Sequence, residues 1–200
     1  QKVSYSFGMV LGKRMTNDLP DLEVEVFVQG LTDAFKGESQ LLTDEQVGTI
    51  LEKFQRDMQQ QQVEQVQAEG AKNKKLGAEF LAQNKDKEGV VTLESGLQYK
   101  VLTEGKGTQP GSNDIVKVHY TGSLMSGEVF DSSEDREPVT FPVNGVISGW
   151  TEALQLMPTG SKWQLFIPAD LAYGANGNRS IGPNETLLFN IELLGIEKKN

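Results

Sequence analysis

The residues most suggestive of function are aromatic and apolar side chains in the second half of the chain, interspersed with hydroxyl and acidic groups. Taken singly, each aromatic residue is explained by packing in a core. Two positions resist that explanation. Asp131 directly follows apolar Phe130, where a buried carboxylate would require a partner, and Tyr173 opens a loop rich in Gly and Asn, where binding residues concentrate. The full set is Tyr120, Phe130, Asp131, Phe141, Val146, Ile147, Trp150, Tyr173 and Phe189.

The sequence offers little support for covalent or metal-dependent chemistry. The 200 residues include no Cys and one His, which excludes disulfides, thiolate nucleophiles and Cys-based or His-rich metal sites. The G-x-S-x-G, Walker and H-E-x-x-H motifs are absent, and Gly105-Lys106-Gly107 lacks the third glycine of a dinucleotide fingerprint. His119 alternates with Tyr120 along a predicted strand, so we expect it at the surface on the opposite face.

The chain is acidic, with 28 Asp and Glu against 19 Lys and Arg and a net charge of -9 at pH 7. This balance argues against nucleic acid as a partner. No stretch approaches ~18 consecutive apolar residues, so no membrane-spanning segment is predicted. The first residue is Gln1, without a Met or an apolar signal segment, which suggests a processed or trimmed start.

The elements that must position these residues change in type near Gly89. After it, Gly and Pro separate short runs rich in Val, Ile, Tyr and Phe, which predict antiparallel strands and one two-turn helix at Trp150 to Met157. A sheet bent around that helix would bury it, giving an α+β domain over residues 89–200. The predicted strands are Leu97 to Leu102, Ile115 to Gly122, Val129 to Asp131, Val139 to Val143, Lys162 to Ile167 and Leu187 to Ile196.

Three helices are predicted before Gly89, at Ser4 to Met15, at Glu23 to Lys36 and from about residue 43 to 88. Thr43 and Gln46 form a capping box at the start of the third helix. Its middle is polar all round, which is typical of a connecting helix. A continuous coiled coil is the alternative, but it would need sustained heptads, which are absent. Gly70 and Gly77 favour bending.

Residues 1–42, with the first turns of the third helix to about residue 58, are predicted to form an all-α dimerisation domain. A helical module of that size seldom buries enough surface by itself, and pairing with a second copy supplies the missing partner. The alternative is that these helices fold back onto the C-terminal domain. The polar connecting helix, residues 43–88, leaves little surface for that arrangement.

Four segments of the second half make the chain resemble the FKBP family of peptidyl-prolyl cis/trans isomerases over about residues 95–196. They are VHYTGSLMSGEVFDSS, FPVNGVISGWTEALQLMPTGSKW, IPADLAYG and IGPNETLLFNIELL. The segments SYSFGMVLGKRM and LTDEQVGTILEKFQRDM, with the long polar helix, are similar to the bacterial two-domain members of the macrophage infectivity potentiator (Mip) type. The likeness therefore extends over essentially the whole chain.

The resemblance implies a site in which the substrate proline ring sits on Trp150, while the Ile147 N–H and the Tyr173 hydroxyl bind substrate carbonyls. It implies that Asp131 is the pocket acid and that Tyr120 is its hydrogen-bond neighbour. Catalytic roles fall to Tyr120, Phe130, Asp131, Ile147, Trp150, Tyr173 and Phe189, and substrate contacts to Val139, Phe141, Val146 and Ile181.

The resemblance also implies a rotamase that needs no cofactor or metal and assists protein folding. Its expected partners are proline-containing peptides, partly folded proteins, macrolide inhibitors such as rapamycin, and a second copy of the chain. Its expected location is the bacterial periplasm or outer membrane, with the cytoplasm as the alternative. A chaperone that binds without catalysis and a structural dimeric spacer remain alternatives. Retention of the whole pocket set favours catalysis, and a spacer leaves the pocket unexplained.

Overall fold

The computed structural model describes residues 1–19, 21–37 and 41–197. The chain divides into two compact units, Gln1–Gln59 and Gln60–Asn200. The predicted domain boundaries near residues 42 and 88 stay predictions, and the predicted limit at residue 200 lies outside the described residues. In the described part of the chain, no helix combines the length and the apolar character needed to cross a membrane.

The first unit contains helices α1 (Lys2–Asp18) and α2 (Val24–Lys36) and the beginning of α3 (Asp44–Asn84). The local end signals behave as the sequence predicts. Gly37 ends α2 in the left-handed conformation at φ 66°. The Thr43 N–H donates to the Gln46 side chain at 2.9 Å, and the Gln46 N–H donates to the Thr43 hydroxyl at 3.2 Å. This reciprocal pair is the predicted capping box.

The first unit has no interior within one chain. None of the residues described between positions 1 and 59 is buried. Large apolar side chains are exposed on all three of its helices, including Phe7 at 73%, Phe35 at 87% and Ile50 at 52%. Single exposed apolar residues are ordinary, but so many on one small unit are typical of an interaction surface.

The second unit is built on one antiparallel sheet in the order β1-β2-β6-β7-β3-β4, with β5 pairing the other end of β3. Its strands are β1 (Val90–Thr92), β2 (Gln98–Thr103), β3 (Ile115–Leu124), β4 (Val129–Ser132), β5 (Val139–Pro142), β6 (Lys162–Ile167) and β7 (Leu187–Glu197). Strand β3 alternates half-buried and buried residues along most of its length, as expected for a sheet with one face on a core.

The short helix α4 (Ser148–Leu156) packs into this sheet and completes the core. Ala153 and Leu154 of the helix are fully buried, together with sheet residues such as Leu165 and Ile191. The predicted α+β fold, with a sheet wrapped around one short helix, is confirmed. The sequence did not predict β1, which pairs with β2 through Val91 and Tyr99.

The glycines of α3 have a role that the sequence did not predict. Helix α3 is continuous from Asp44 to Asn84, and Gly70 and Gly77 are buried in it. A methyl group on Gly77 would overlap the Thr186 hydroxyl, and one on Gly70 would lie 3.1 Å from the Asn184 amide nitrogen. These glycines let the helix approach the C-terminal domain closely.

Candidate active site

A cavity of about 430 Å³ opens between α4, the sheet and the loop that follows β6. It brings together side chains that are distant in sequence, because β3, β4, β7 and the start of α4 all meet there. Its lining contains all nine residues singled out from sequence, and it adds Gly145. The lining residues are Tyr120, Phe130, Asp131, Phe141, Gly145, Val146, Ile147, Trp150, Tyr173 and Phe189.

Trp150 forms the most enclosed part of the aromatic cluster and is 4% exposed. Tyr120 and Phe189 meet its indole edge-on, each at 5.2 Å between centroids and 82° between planes. Phe141 stands at 5.8 Å and 89°. Edge-to-face contacts are the favoured geometry of aromatic pairs. Three of them fix the indole plane, so this apolar surface is in place before any ligand arrives.

A glycine on β3 makes room for two rings of the cavity wall. Gly122 pairs with Phe189 of β7. A methyl group on Gly122 would lie 2.5 Å from the Phe189 ring and 2.7 Å from the Phe130 ring. Phe130 and Phe189 meet edge-on at 5.5 Å over this position. The shape of this wall therefore depends on the missing side chain.

The polar part of the site is a hydrogen-bonded pair. The Tyr120 hydroxyl donates to Oδ2 of Asp131 at 2.5 Å. Burial of the phenol, followed by its hydrogen bond to Asp131 and the charge of that carboxylate, raises the pKa of Tyr120 to about 12. Tyr120 therefore stays protonated and donates throughout the neutral range.

Asp131 departs from one expectation. Its side chain is 49% exposed, so the carboxylate is not buried, although it does have the partner expected from the resemblance. Its second oxygen lies 3.1 Å from Nη2 of Arg136. Sequence reasoning missed Arg136, and its only signal was a basic residue in the turn just after the acid. This contact orients the carboxylate more than it stabilises the fold, because solvent screens an exposed ion pair.

Two further polar groups border the cavity. Ile147 directly precedes α4, and its carbonyl accepts the Trp150 and Thr151 N–H groups at 2.9 and 3.0 Å. The Ile147 N–H itself has no acceptor among the described residues. Tyr173 begins a short 3₁₀ turn (Gly174–Asn176) and is 41% exposed. Both residues line the cavity from segments outside the sheet.

Three other candidates lie elsewhere. Val139 of β5 pairs with Val118 of β3 and packs against the core. Ile181 is buried in the core at 3% exposure. Neither residue belongs to the cavity lining, although the resemblance implied substrate contacts for both. His119 is half-buried rather than fully at the surface, and its Nδ1 lies 3.1 Å from the Ser133 hydroxyl.

Comparison with protein families accounts for nearly the whole chain. Residues 1–101 match the domain amino-terminal to FKBP-type peptidyl-prolyl isomerase, and residues 106–194 match the FKBP-type peptidyl-prolyl cis-trans isomerase. The chain belongs to the FKBP family. It is an enzyme of the peptidyl-prolyl cis-trans isomerase class, and the family membership predicted from the resemblance is confirmed.

Individual relatives place this isomerase among two-domain bacterial proteins. It is 48% identical to the outer membrane protein MIP of Legionella longbeachae, covering 98% of this chain and 85% of the relative. It is 44% identical to the isomerase FkpA of Aeromonas hydrophila, covering 99% and 76%. The crystal structure of FkpA from Escherichia coli superposes with a TM-score of 0.85 at 36% identity, covering 98% of this chain and 96% of that one.

Proposed function

We propose that the cavity binds an X–Pro segment and accelerates rotation about its prolyl bond without covalent chemistry. The observation that carries this proposal is the apolar aromatic surface around Trp150, bordered by the hydrogen-bonded pair of Tyr120 and Asp131. We also propose that two copies act together on partly folded proteins.

The reaction requires the loss of amide resonance and no new bond. Resonance gives the C–N bond partial double-bond character and a rotational barrier of ~18–20 kcal/mol. For X–Pro the two isomers differ by only ~0.5–1 kcal/mol, yet they interconvert in tens to hundreds of seconds. A catalyst therefore has only to stabilise the twisted amide relative to the planar one.

An aromatic cavity favours the twisted amide through its polarity. Twisting removes the charge-separated resonance form, so the planar amide loses more solvation than the twisted one when both leave water. A site that disfavours the ground state more than the transition state lowers the barrier. The rings of Tyr120, Phe141 and Phe189 around Trp150 supply such a surface.

The polar groups hold the chain while the prolyl bond turns. The Ile147 N–H and the Tyr173 hydroxyl would donate to substrate carbonyls on either side of the proline ring. Asp131 would orient or polarise the carbonyl that rotates. Tyr120 and Arg136 hold the Asp131 carboxylate in place. Phe130 and Val146 would close the apolar wall around the ring.

The first experiment measures cis-to-trans isomerisation of a short X–Pro peptide, with and without rapamycin, for the wild type and two variants. Trp150→Ala removes the aromatic surface, and Asp131→Ala removes the acid. We expect kcat/KM to fall at least tenfold for each, and rapamycin to block the wild type. Thermal unfolding must show that each variant is folded, because truncating a buried tryptophan costs about 3–5 kcal/mol.

The matched control for the acid is Asp135→Ala, an exposed aspartate in the same turn. We expect it to leave kcat/KM within twofold of the wild type. Full turnover in Asp131→Ala would make that carboxylate structural. A folded wild type without any acceleration would replace the isomerase mechanism with a chaperone that only binds apolar or proline-containing segments.

The dimer is supported by the first unit. Its apolar side chains have no interior to occupy within one chain, and a second copy would bury them symmetrically. On helix α2, Val24, Val28 and Leu31 fall on one face at helical spacing. Two prolyl sites in one assembly would bind a flexible protein with greater avidity than either site alone.

The cellular location is proposed from the relatives. One relative is named an outer membrane protein, and we propose that this chain also works in the bacterial cell envelope, on newly translocated proteins. Fractionation of the source cells with antibody against the chain tests this. Recovery in the cytoplasmic fraction would favour the alternative location.

A further inference from the structure

One wall of the cavity is formed by a loop that reaches the core through Ile181. Tyr120 and Phe189 lie on strands of the sheet, and Trp150 lies on the buried helix α4, whereas Tyr173 begins a loop that extends to Asn184. The middle of this loop is closed on itself. The Asn178 side-chain oxygen accepts the Ser180 and Ile181 N–H groups at 2.8 and 2.9 Å, and the Asn178 N–H donates to the Ile181 carbonyl at 2.8 Å.

The far end of the loop is attached to helix α3. The Asn73 amide donates to the Pro183 carbonyl at 3.0 Å, and this contact is buried. The Asn184 amide donates back to the Gly70 carbonyl at 3.1 Å. These two bonds cross the helix–loop contact in opposite directions, over more than 100 residues of sequence.

Asn184 connects this attachment to the cavity. Its backbone N–H donates to the Gly174 carbonyl at 2.9 Å, and Gly174 directly follows Tyr173. Asn184 is also the one non-glycine residue with positive φ among the described residues, at 55°. Asparagine tolerates this conformation better than most residues. A single residue therefore bonds the helix with its side chain and the start of the Tyr173 turn with its backbone.

We propose that Asn73 and Asn184 are positioning residues for the isomerase reaction, which hold the Tyr173 hydroxyl at the cavity by fastening its loop to α3. The inference rests on the proposed role of Tyr173 in binding a substrate carbonyl. If Asn73 and Asn184 have this role, the second half of α3 helps to position an active-site residue. The glycine at position 70 fits this role, since a methyl group there would lie 3.3 Å from Pro183.

The test compares two buried asparagines of α3. Asn73→Ala removes the donor to the loop. Asn84→Ala is the matched control, because Asn84 is also buried but donates to the Gln98 side chain at 3.0 Å, away from the loop. Both variants should lower the melting temperature. Only Asn73→Ala should lower kcat/KM, by about five- to tenfold, mainly through a higher KM. Equal effects of both on kcat/KM would overturn the proposal.

A second variant protects the test against misfolding. Asn184→Gly removes the side-chain donor to α3, keeps the backbone N–H, and is compatible with positive φ. We expect the same rise in KM as for Asn73→Ala. Unchanged kinetics in a folded Asn184→Gly protein would overturn the assignment of Asn184.

The double variant with Tyr173→Phe separates this inference from the proposed function. If Asn73 acts through the Tyr173 hydroxyl, Asn73→Ala should add less than twofold to the loss in the Tyr173→Phe background. Full additivity would show that Asn73 does not act through Tyr173. If Tyr173→Phe alone keeps full activity while Trp150→Ala does not, the cavity remains the isomerase site and the positioning role is wrong.

Discussion

The two units of this isomerase use apolar residues in opposite ways. In Gln1–Gln59, large apolar side chains lie along helices and stay exposed, whereas in Gln60–Asn200 Leu97, Leu154 and Ile191 are fully buried. A helix with an apolar stripe needs a second layer to cover it. The second unit supplies that layer from its own sheet, and the first does not.

Helix α3 shows the same contrast within one element. Between Asp44 and Gln59 its side chains are exposed, but beyond Gln60 it buries Gly70, Asn73 and Gly77. The helix therefore lies partly on the exposed apolar surface of the first unit and partly in the packed second unit. This difference can be tested by substitutions that should affect one unit and spare the other.

The largest expected effect is on association. Leu31→Asp places a charge on the apolar face of α2. We expect the dissociation constant of the proposed dimer to rise at least ~100-fold, because a charge at a buried interface would lose its hydration. Sedimentation equilibrium measures the change. Gln29→Asp is the control, since Gln29 lies ~140° around the helix from Val24 on the polar side. An unchanged dissociation constant in Leu31→Asp would show that the interface does not include this face of α2.

Glycine-to-alanine substitutions in the two units should change the free energy of unfolding in opposite directions. In Gly30→Ala the new methyl group meets nothing within 4 Å, so we expect the free energy of unfolding to rise by up to ~1 kcal/mol from helix propensity. In Gly77→Ala the methyl group overlaps the Thr186 hydroxyl, so we expect a loss of about 1–3 kcal/mol. Chemical denaturation measures both values.

A double variant tests whether the Thr186 hydroxyl causes the loss of stability in Gly77→Ala. Thr186→Ala removes the hydroxyl that the new methyl group would meet, and the double variant should recover part of the loss from Gly77→Ala. A loss of equal size in both backgrounds would show that another contact is responsible.

The sequence predicted the elements well wherever their signals were local. The capping box at Thr43, the glycine stop at Gly37 and the alternation along β3 all depend on neighbours in sequence, and the structure confirms them. Strand β1 was missed because three residues after a helix carry no periodicity of their own. Its pairing with β2 is what makes Val90–Thr92 a strand.

All nine pocket residues singled out from sequence line the cavity, whereas other details of the site depend on packing between distant segments. Val139 and Ile181 pack into the core, although resemblance implied substrate contacts for them. The glycines of α3 indicated bending by propensity, which does not register a close partner such as Thr186. Arg136 beside Asp131 follows from the path of a turn, which no local pattern specifies.

The stability of the fold should fall at alkaline pH as Tyr120, which lines the cavity, ionises. The pKa of Tyr120 is raised to about 12, against ~10 in an unfolded chain. The stabilisation linked to this raised pKa is on the order of 2 kcal/mol. It is fully present below pH ~10 and is lost as the pH rises through 12. The stability gap between wild type and Tyr120→Phe should narrow over this range. A constant gap would mean that Tyr120 ionises as it does in the unfolded chain.

The smallest expected effect lies at the helix–loop contact. Desolvation, and then the charge of Glu69, raise the pKa of the Glu185 carboxyl. A raised carboxyl pKa makes the folded state most stable when the group is protonated, so the ionised form weakens the fold at neutral pH. Glu185→Gln should therefore raise the free energy of unfolding at pH 7, by less than about 1 kcal/mol because solvent screens the pair. A higher melting temperature would show this gain. The gain should shrink as the pH falls through the raised pKa towards the ordinary range of Glu.

Two further variants serve as controls. Glu69→Gln should give a smaller gain, because it removes only the charge of Glu69 and not the desolvation of Glu185. Glu94→Gln, at an exposed position, should give none. A gain from Glu185→Gln that persists in acid would assign the effect to packing and not to charge.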